Sequence, residues 1–125
     1  MVNKSFAGFT LIEMLLVLVI LSLLAGIAAP MVSQAIIRSK ESALKEDLQT
    51  MRSALDDYYA DKGQYPSREK DLVEQHYLRS IPVDPITKET DWDWVESDDP
   101  DFQGIEDVKS LSDKEATDGT RYNEW

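Results

Sequence analysis

The sequence contains no cysteine. Disulfide staples, thiolate metal sites and thiol nucleophiles are therefore excluded. Its one histidine, His76, rules out a multi-histidine metal cluster and leaves a Ser-His-Asp arrangement a single candidate base. Positive charge is also scarce: 13 Lys and Arg stand against 24 Asp and Glu, a formal net charge of −11. That balance repels phosphate backbones and no Lys/Arg cluster offsets it, so nucleic acid is not expected as a partner. No Gly-rich phosphate loop, Walker-type motif or GxSxG elbow occurs. No spacing among the acids selects a catalytic pair, and His76 lies in the polar stretch Glu74-Gln75-His76, so an enzyme is not expected. At 125 residues, one small soluble domain is the ceiling once any membrane segment is subtracted.

What the sequence does have is two unlike halves. No charged residue occurs from Met14 to Ile37, and Met14 to Ala29 is apolar apart from Ser22 and the small Gly26. With Phe9 to Ile12 added, the run reaches about 21 residues, enough to cross a hydrocarbon core ~30 Å thick as a helix. After Arg38 the chain turns acidic, most of all from Glu89 to Asp107, which holds nine carboxylates and no Lys or Arg. Three readings of the head compete: a secretory signal cleaved near Ala29, a permanent single-pass anchor, or a segment that sits in the bilayer and later packs against copies of itself. Glu13 separates them. A carboxylate inside an apolar run costs roughly 2.5–3.5 kcal/mol on insertion scales and calls for a partner. The competing explanation places Glu13 near the membrane surface, favoured by the positive end of a helix.

The stretch Lys4-Ser5-Phe6-Ala7-Gly8-Phe9-Thr10-Leu11-Ile12-Glu13, followed by the apolar run and Pro30, resembles the N-terminus of type IV pilins and type II secretion pseudopilins. The resemblance implies a leader of residues 1–8, removed by a prepilin peptidase between Gly8 and Phe9, and N-methylation of Phe9. It also implies that Glu13 seats each incoming subunit against a neighbour's N-terminal amine on Phe9. A buried carboxylate is tolerable when its counter-charge arrives on the next molecule. Residues 9–32 would form the transmembrane and polymerisation helix, and residues 33–125 a periplasmic globular domain. Counting Lys and Arg alone gives the opposite orientation, because Arg38, Lys40 and Lys45 follow the span. The motif implies the periplasmic orientation instead.

The helical pattern continues past the membrane. Ile37, Leu44, Leu48, Met51, Leu55 and Tyr58 fall on one helix face, with Lys40, Glu41, Lys45, Glu46, Asp47, Arg52, Asp56 and Asp57 assigned to the wet side. Glu41 and Lys45 are spaced as a favourable i,i+4 pair. A helix from Phe9 to about Asp61 would be ~80 Å long. Gly63 is its stop signal, and Tyr65-Pro66 forces extended backbone beyond. Pro30 inside the helix removes one hydrogen bond and predicts a kink or local melting, which the family likeness places at Gly26 and Pro30. The apolar stripe needs cover. Ser67 reads as the N-cap of a short helix from Arg68 to about Gln75, Thr90 to Val95 as a strand carrying Trp92 and Trp94, and Gly104 to Ser110 as a second strand. The expected fold is α+β: a long N-terminal helix, half transmembrane and half amphipathic, packed on a small antiparallel sheet in the manner of a pilin. The aromatic residues read as core filling.

Tyr65-Pro66, Tyr77-Leu78, Ile81-Pro82-x-Asp84-Pro85 and Trp125 resemble the major pseudopilin of type II secretion systems, so the likeness covers most of the chain. It implies a structural subunit that assembles through its N-terminal helix into a helical homo-oligomer and helps export folded proteins across the outer membrane. Its partners would be the prepilin peptidase, minor pseudopilins, and an inner-membrane assembly platform with its ATPase. The alternatives are a subunit of a type IV pilus or related filament and a membrane-anchored periplasmic binding module. No cofactor is required, but the resemblance implies a calcium-binding C-terminal loop, matched here by Leu111 to Thr120. Ser112, Asp113 and Asp118 are the candidate ligands, offering the hard oxygens calcium prefers. Against this, the family's longer glycine-rich loop is missing and Lys114 sits between the candidates; the other reading is a solvated acidic face.

Overall fold

The computed structural model describes Gly8 and residues 10–125. Most of the expected leader, and Phe9 with its processing and assembly roles, lie outside the described residues. Helix α1 spans Leu11–Lys62, 52 residues. Thr10 starts it: its Oγ1 accepts the Glu13 N–H at 3.1 Å and its carbonyl accepts the Met14 N–H at 3.0 Å. A side-chain oxygen there satisfies a backbone donor that has no partner within the helix. Gly63 ends it as expected, at φ 72°, donating its N–H to the Tyr59 carbonyl at 2.8 Å. The helical backbone continues through Gly26 and Pro30.

The chain divides into two compact units, Met1–Ile37 and Arg38–Trp125. The first unit holds the apolar part of α1. An 18-residue window of α1 has mean hydropathy 2.7, so the helix is long and apolar enough to cross a membrane.

In the second unit, α1 turns one face inward. Leu44, Leu48, Met51, Ala54, Leu55 and Tyr58 are buried at steps of three and four, the period of a helix lying on a core. Each fully buried leucine contributes about 1.5–3 kcal/mol relative to exposure. Leu72, Leu78, Trp92, Ile105, Val108, Ala116 and Tyr122 close the core from the other side.

Helix α2 spans Glu69–Glu74, shorter than expected, and its N-cap is Arg68 rather than Ser67. The reason lies at Asp71. Its carboxylate accepts the Arg68 backbone N–H at 3.3 Å and the Arg68 guanidinium at 3.0 Å, fixing the first turn one residue later. Strands β1 (Asp93–Glu96) and β2 (Ile105–Lys109) pair antiparallel. The first begins later than expected. Trp92 lies just before it, buried, with its indole N–H donated to the Pro82 carbonyl at 2.9 Å. In the ladder Val95 pairs with Asp107 and Glu96 with Ile105, so Glu106 is the extra residue of a bulge. The bulge resets the alternation and lets Ile105 and Val108, three positions apart, both enter the core. That accounts for the imperfect period-2 pattern of this segment.

Gly104 joins the hairpin to the end of the long helix. Its φ is 116°, and a Cβ there would stand 2.6 Å from the Tyr65 carbonyl oxygen and 2.8 Å from that of Pro66. Both neighbours are backbone, and the Pro66 carbonyl is held in place by the next N–H, on Ile105, which bonds it at 2.9 Å. Gly63 has open space where its Cβ would be. Gly104→Ala should therefore lower stability well beyond the about 1–3 kcal/mol that left-handed backbone alone costs, whereas Gly63→Ala should stay within it. Denaturant midpoints of the two variants check this, and equal shifts would contradict the close approach.

Candidate assembly surface and the C-terminal segment

Two groups of residues bear on function, one in each unit. In the first unit the helix surface is uncovered: Leu11 and Ile12 are 85% and 78% exposed, and the apolar side chains through Val32 remain exposed as well. Hydrocarbon or other apolar helices are the media in which such a surface is stable. The two hydroxyls within it are already satisfied. Ser22 Oγ donates to the Leu18 carbonyl at 2.7 Å and Ser33 Oγ to the Ala29 carbonyl at 3.2 Å, so neither needs water. Gly26 and Pro30 stand four apart, so the bond Pro30 cannot make is the one to the Gly26 carbonyl.

Glu13 occupies the third position of α1, where its backbone N–H is capped by Thr10. Its carboxylate has no hydrogen-bond or ion-pair partner among the described residues. Gly8 is exposed. Thr10 was not singled out from the sequence, although a threonine three residues before a glutamate is a legible capping signal.

The second group lies in the globular unit, where Glu41 corrects the sequence reading. It is buried instead of facing water, and it does not pair with Lys45. Oε1 accepts the Thr117 N–H at 2.9 Å and the Tyr122 hydroxyl at 3.0 Å, and Oε2 accepts the Thr117 hydroxyl at 2.7 Å. Burial pushes its pKa up, but the bonds from Thr117 and Tyr122 together outweigh burial and hold it below the ordinary 4.5. The missed signal was positional. Ile37 to Leu44 is a step of seven, and Glu41 fills the gap on the stripe. Lys45 instead places its Nζ 4.7 Å from the centre of the Trp125 ring.

Arg52 ties three parts together. Its Nε donates to Asp107 Oδ1 at 2.8 Å, and one terminal nitrogen donates to the carbonyls of Val108 at 3.0 Å and Trp125 at 2.7 Å. Asp84, fully buried, accepts the Ile86 N–H at 2.7 Å and the Ser110 hydroxyl at 2.6 Å, fastening the Asp84-Pro85 turn to the end of β2.

Each proposed calcium ligand has its own surroundings. Ser112 is buried, with its hydroxyl accepting the Lys114 N–H at 3.3 Å. Asp118 Oδ1 accepts the Thr120 N–H at 2.9 Å as well as the Thr120 hydroxyl, and Asp113 is exposed. Among the described residues no group of three or more His, Cys, Asp or Glu side chains is placed to hold a metal ion. Calcium takes six to eight oxygens, more than one serine and two aspartates supply by themselves.

An apolar helix with one acid at its start, leading into a small helix-and-hairpin domain, fits a membrane-anchored protein of the prepilin type. Residues 3–29 match the family described as the prokaryotic N-terminal methylation motif. The type II secretion system core protein G of Pseudomonas aeruginosa is 33% identical over 101 residues, 68% of this chain and 71% of that protein. That of Klebsiella pneumoniae is 32% identical over 94 residues, 62% of this chain and 67% of its own length. The type IV major pilin protein PilA of Myxococcus xanthus is 38% identical over 63 residues, 50% of this chain and 29% of that protein. No solved structure matches. The chain belongs to the type II secretion system core protein G family, the major pseudopilins.

Tyr122 offers a check on this geometry. Burial and its bond to Glu41 push the phenol up to about 12, and the bond to Asp61, made at 2.7 Å, does the same for Tyr77. A raised folded-state value stabilises fully below the unfolded value of 10 and is lost as pH rises through about 12. In a phenolate absorbance titration two of the five tyrosines should ionise near 12, and Tyr122→Phe should remove one of those steps. Loss of both steps together, or of neither, would contradict the assignment.

Proposed function

We propose that this chain is a structural subunit of a type II secretion pseudopilus. It is made as a precursor, cut between Gly8 and Phe9 by a prepilin peptidase, and methylated on the new Phe9 amine. Residues 9–32 hold it in the inner membrane with the body in the periplasm, until an assembly platform and its ATPase extract it into a helical filament of many copies. Minor pseudopilins complete that filament, which helps move folded proteins across the outer membrane. The observation that carries this reading is the uncovered apolar surface of α1 with Glu13 as its one carboxylate. In lipid that surface is satisfied and the acid is not; between copies, the amine of a neighbouring Phe9 satisfies the acid as well. Nothing in this arrangement asks for catalysis, and the role is structural.

A pilus subunit is the second reading, favoured by the 38% identity to PilA, but that likeness spans half of the chain against about two thirds for core protein G of Pseudomonas aeruginosa. A permanent membrane-anchored binding module is the third. Gly26 and Pro30 are where α1 would melt on extraction, since one helical bond is already missing there.

Intact mass of the mature protein separates a filament subunit, of either kind, from a secreted protein cleaved near Ala29 and from an unprocessed permanent anchor. A chain starting at Phe9 and carrying one added methyl supports a filament subunit, and a start near Pro30 overturns it. Glu13→Ala should leave cleavage and the globular domain unchanged but abolish filaments seen by electron microscopy. Wild-type filament yield from that variant would refute the docking role of Glu13.

A further inference from the structure

Residues 111–125 carry little regular structure: an isolated bridge between Glu115 and Arg121, and a 3-10 turn at Tyr122–Glu124. The segment nevertheless buries Ser112, Ala116 and Tyr122. No disulfide can lock it, and its own acids do not gather into a cation site. What it fastens to is a residue 76 and 81 positions earlier in the chain. Both oxygens of Glu41 receive donors from it: the Thr117 N–H and hydroxyl, and the Tyr122 hydroxyl, at 2.9, 2.7 and 3.0 Å.

We propose that Glu41 is an internal clasp that closes the C-terminal segment onto α1, so that this pseudopilin holds the segment without a calcium ion. A calcium site gathers oxygens around a cation. Here the polarity is reversed: one buried anion is surrounded by N–H and O–H groups from the segment. Glu41 sits on the core-facing stripe one turn before Leu44, so its backbone is fixed by the packing of α1 itself. No buried side-chain nitrogen or oxygen among the described residues lacks a hydrogen-bond partner, so the clasp leaves no orphaned ligand waiting for a metal. Arg52 and Lys45 meet Trp125 independently of Glu41, which keeps the far end of the segment attached when the clasp alone is removed.

Hydrogen–deuterium exchange on the full chain in detergent micelles tests this. Exchange across residues 111–125 should be the same in millimolar calcium and in EDTA. Glu41→Gln keeps the shape and removes the charge; it should raise exchange in that segment about tenfold or more while residues 93–109 keep their protection. Calcium-dependent protection of the segment, or unchanged exchange in Glu41→Gln, overturns the proposal. Where Glu41→Gln exposes the whole domain, Tyr122→Phe decides, because it keeps the ring and loses one donor. Faster exchange confined to 111–125 supports the clasp, and unchanged exchange overturns it.

Discussion

One backbone helix has to satisfy two surroundings, and the rest of the molecule follows from that constraint. Over its first half α1 is apolar on nearly every side, and its large apolar side chains stand exposed. Over its second half the apolar residues narrow to a stripe at steps of three and four, which a small domain can cover. The change falls near Ile37 and Arg38, where the chain also divides into its two compact units. A sheet of only two strands is too little to stand alone in water, and the hairpin β1–β2 is stable because α1 supplies the other side of the core.

The elements legible in the sequence were those that depend on local pattern. The length of α1, its stop at Gly63, the inward set Leu44, Leu48, Met51, Leu55 and Tyr58, and two antiparallel strands about the Asp98 to Asp101 turn all follow from periodicity and turn residues, while Ile37, expected on the same face, is exposed. The prepilin motif was equally local, being a run of neighbouring residues. What escaped were contacts set by pairs far apart in the chain. Glu41 looks like a solvated acid until Thr117 and Tyr122 are brought to it. Arg52 looks like part of a wet face until Asp107, Val108 and Trp125 converge on its guanidinium. Ser67 satisfies a simple capping rule, yet Asp71 moves the helix start by one residue. Binary pattern assigns charged residues outward, and it has no means of finding the acid whose partners lie 76 and 81 positions away.

The calcium expectation shows a related limit of sequence reading. It selected acids by their place in a segment and not by the direction their oxygens face. Asp118 turns its carboxylate back onto Thr120, two residues on, which is what short polar side chains do in turns. An acid satisfied by its own turn has little reason to join a metal shell. The acidic character of this domain is for the most part a solvated surface, and the carboxylates that hold it together are the few that point inward, Glu41 and Asp84 foremost.

Glu13 and Glu41 thus pose the same problem on one helix and meet it differently. Each is an acid on an otherwise apolar face. Glu41 is answered within the chain by neutral donors, an arrangement that is complete in a single molecule. Glu13 has no donor within the described residues, and a neighbouring copy could answer it only with a group that every copy carries. An unpaired carboxylate in that setting costs roughly 2.5–3.5 kcal/mol, so pairing it favours a correctly docked neighbour by about 100-fold over one that leaves it bare. Apolar contact between helices is nearly indifferent to register, because one leucine ridge packs much like the next. A single charge inside that contact is not indifferent. On the proposed reading, the apolar surface supplies the cohesion of the filament, and the one acid selects which stagger between copies is allowed.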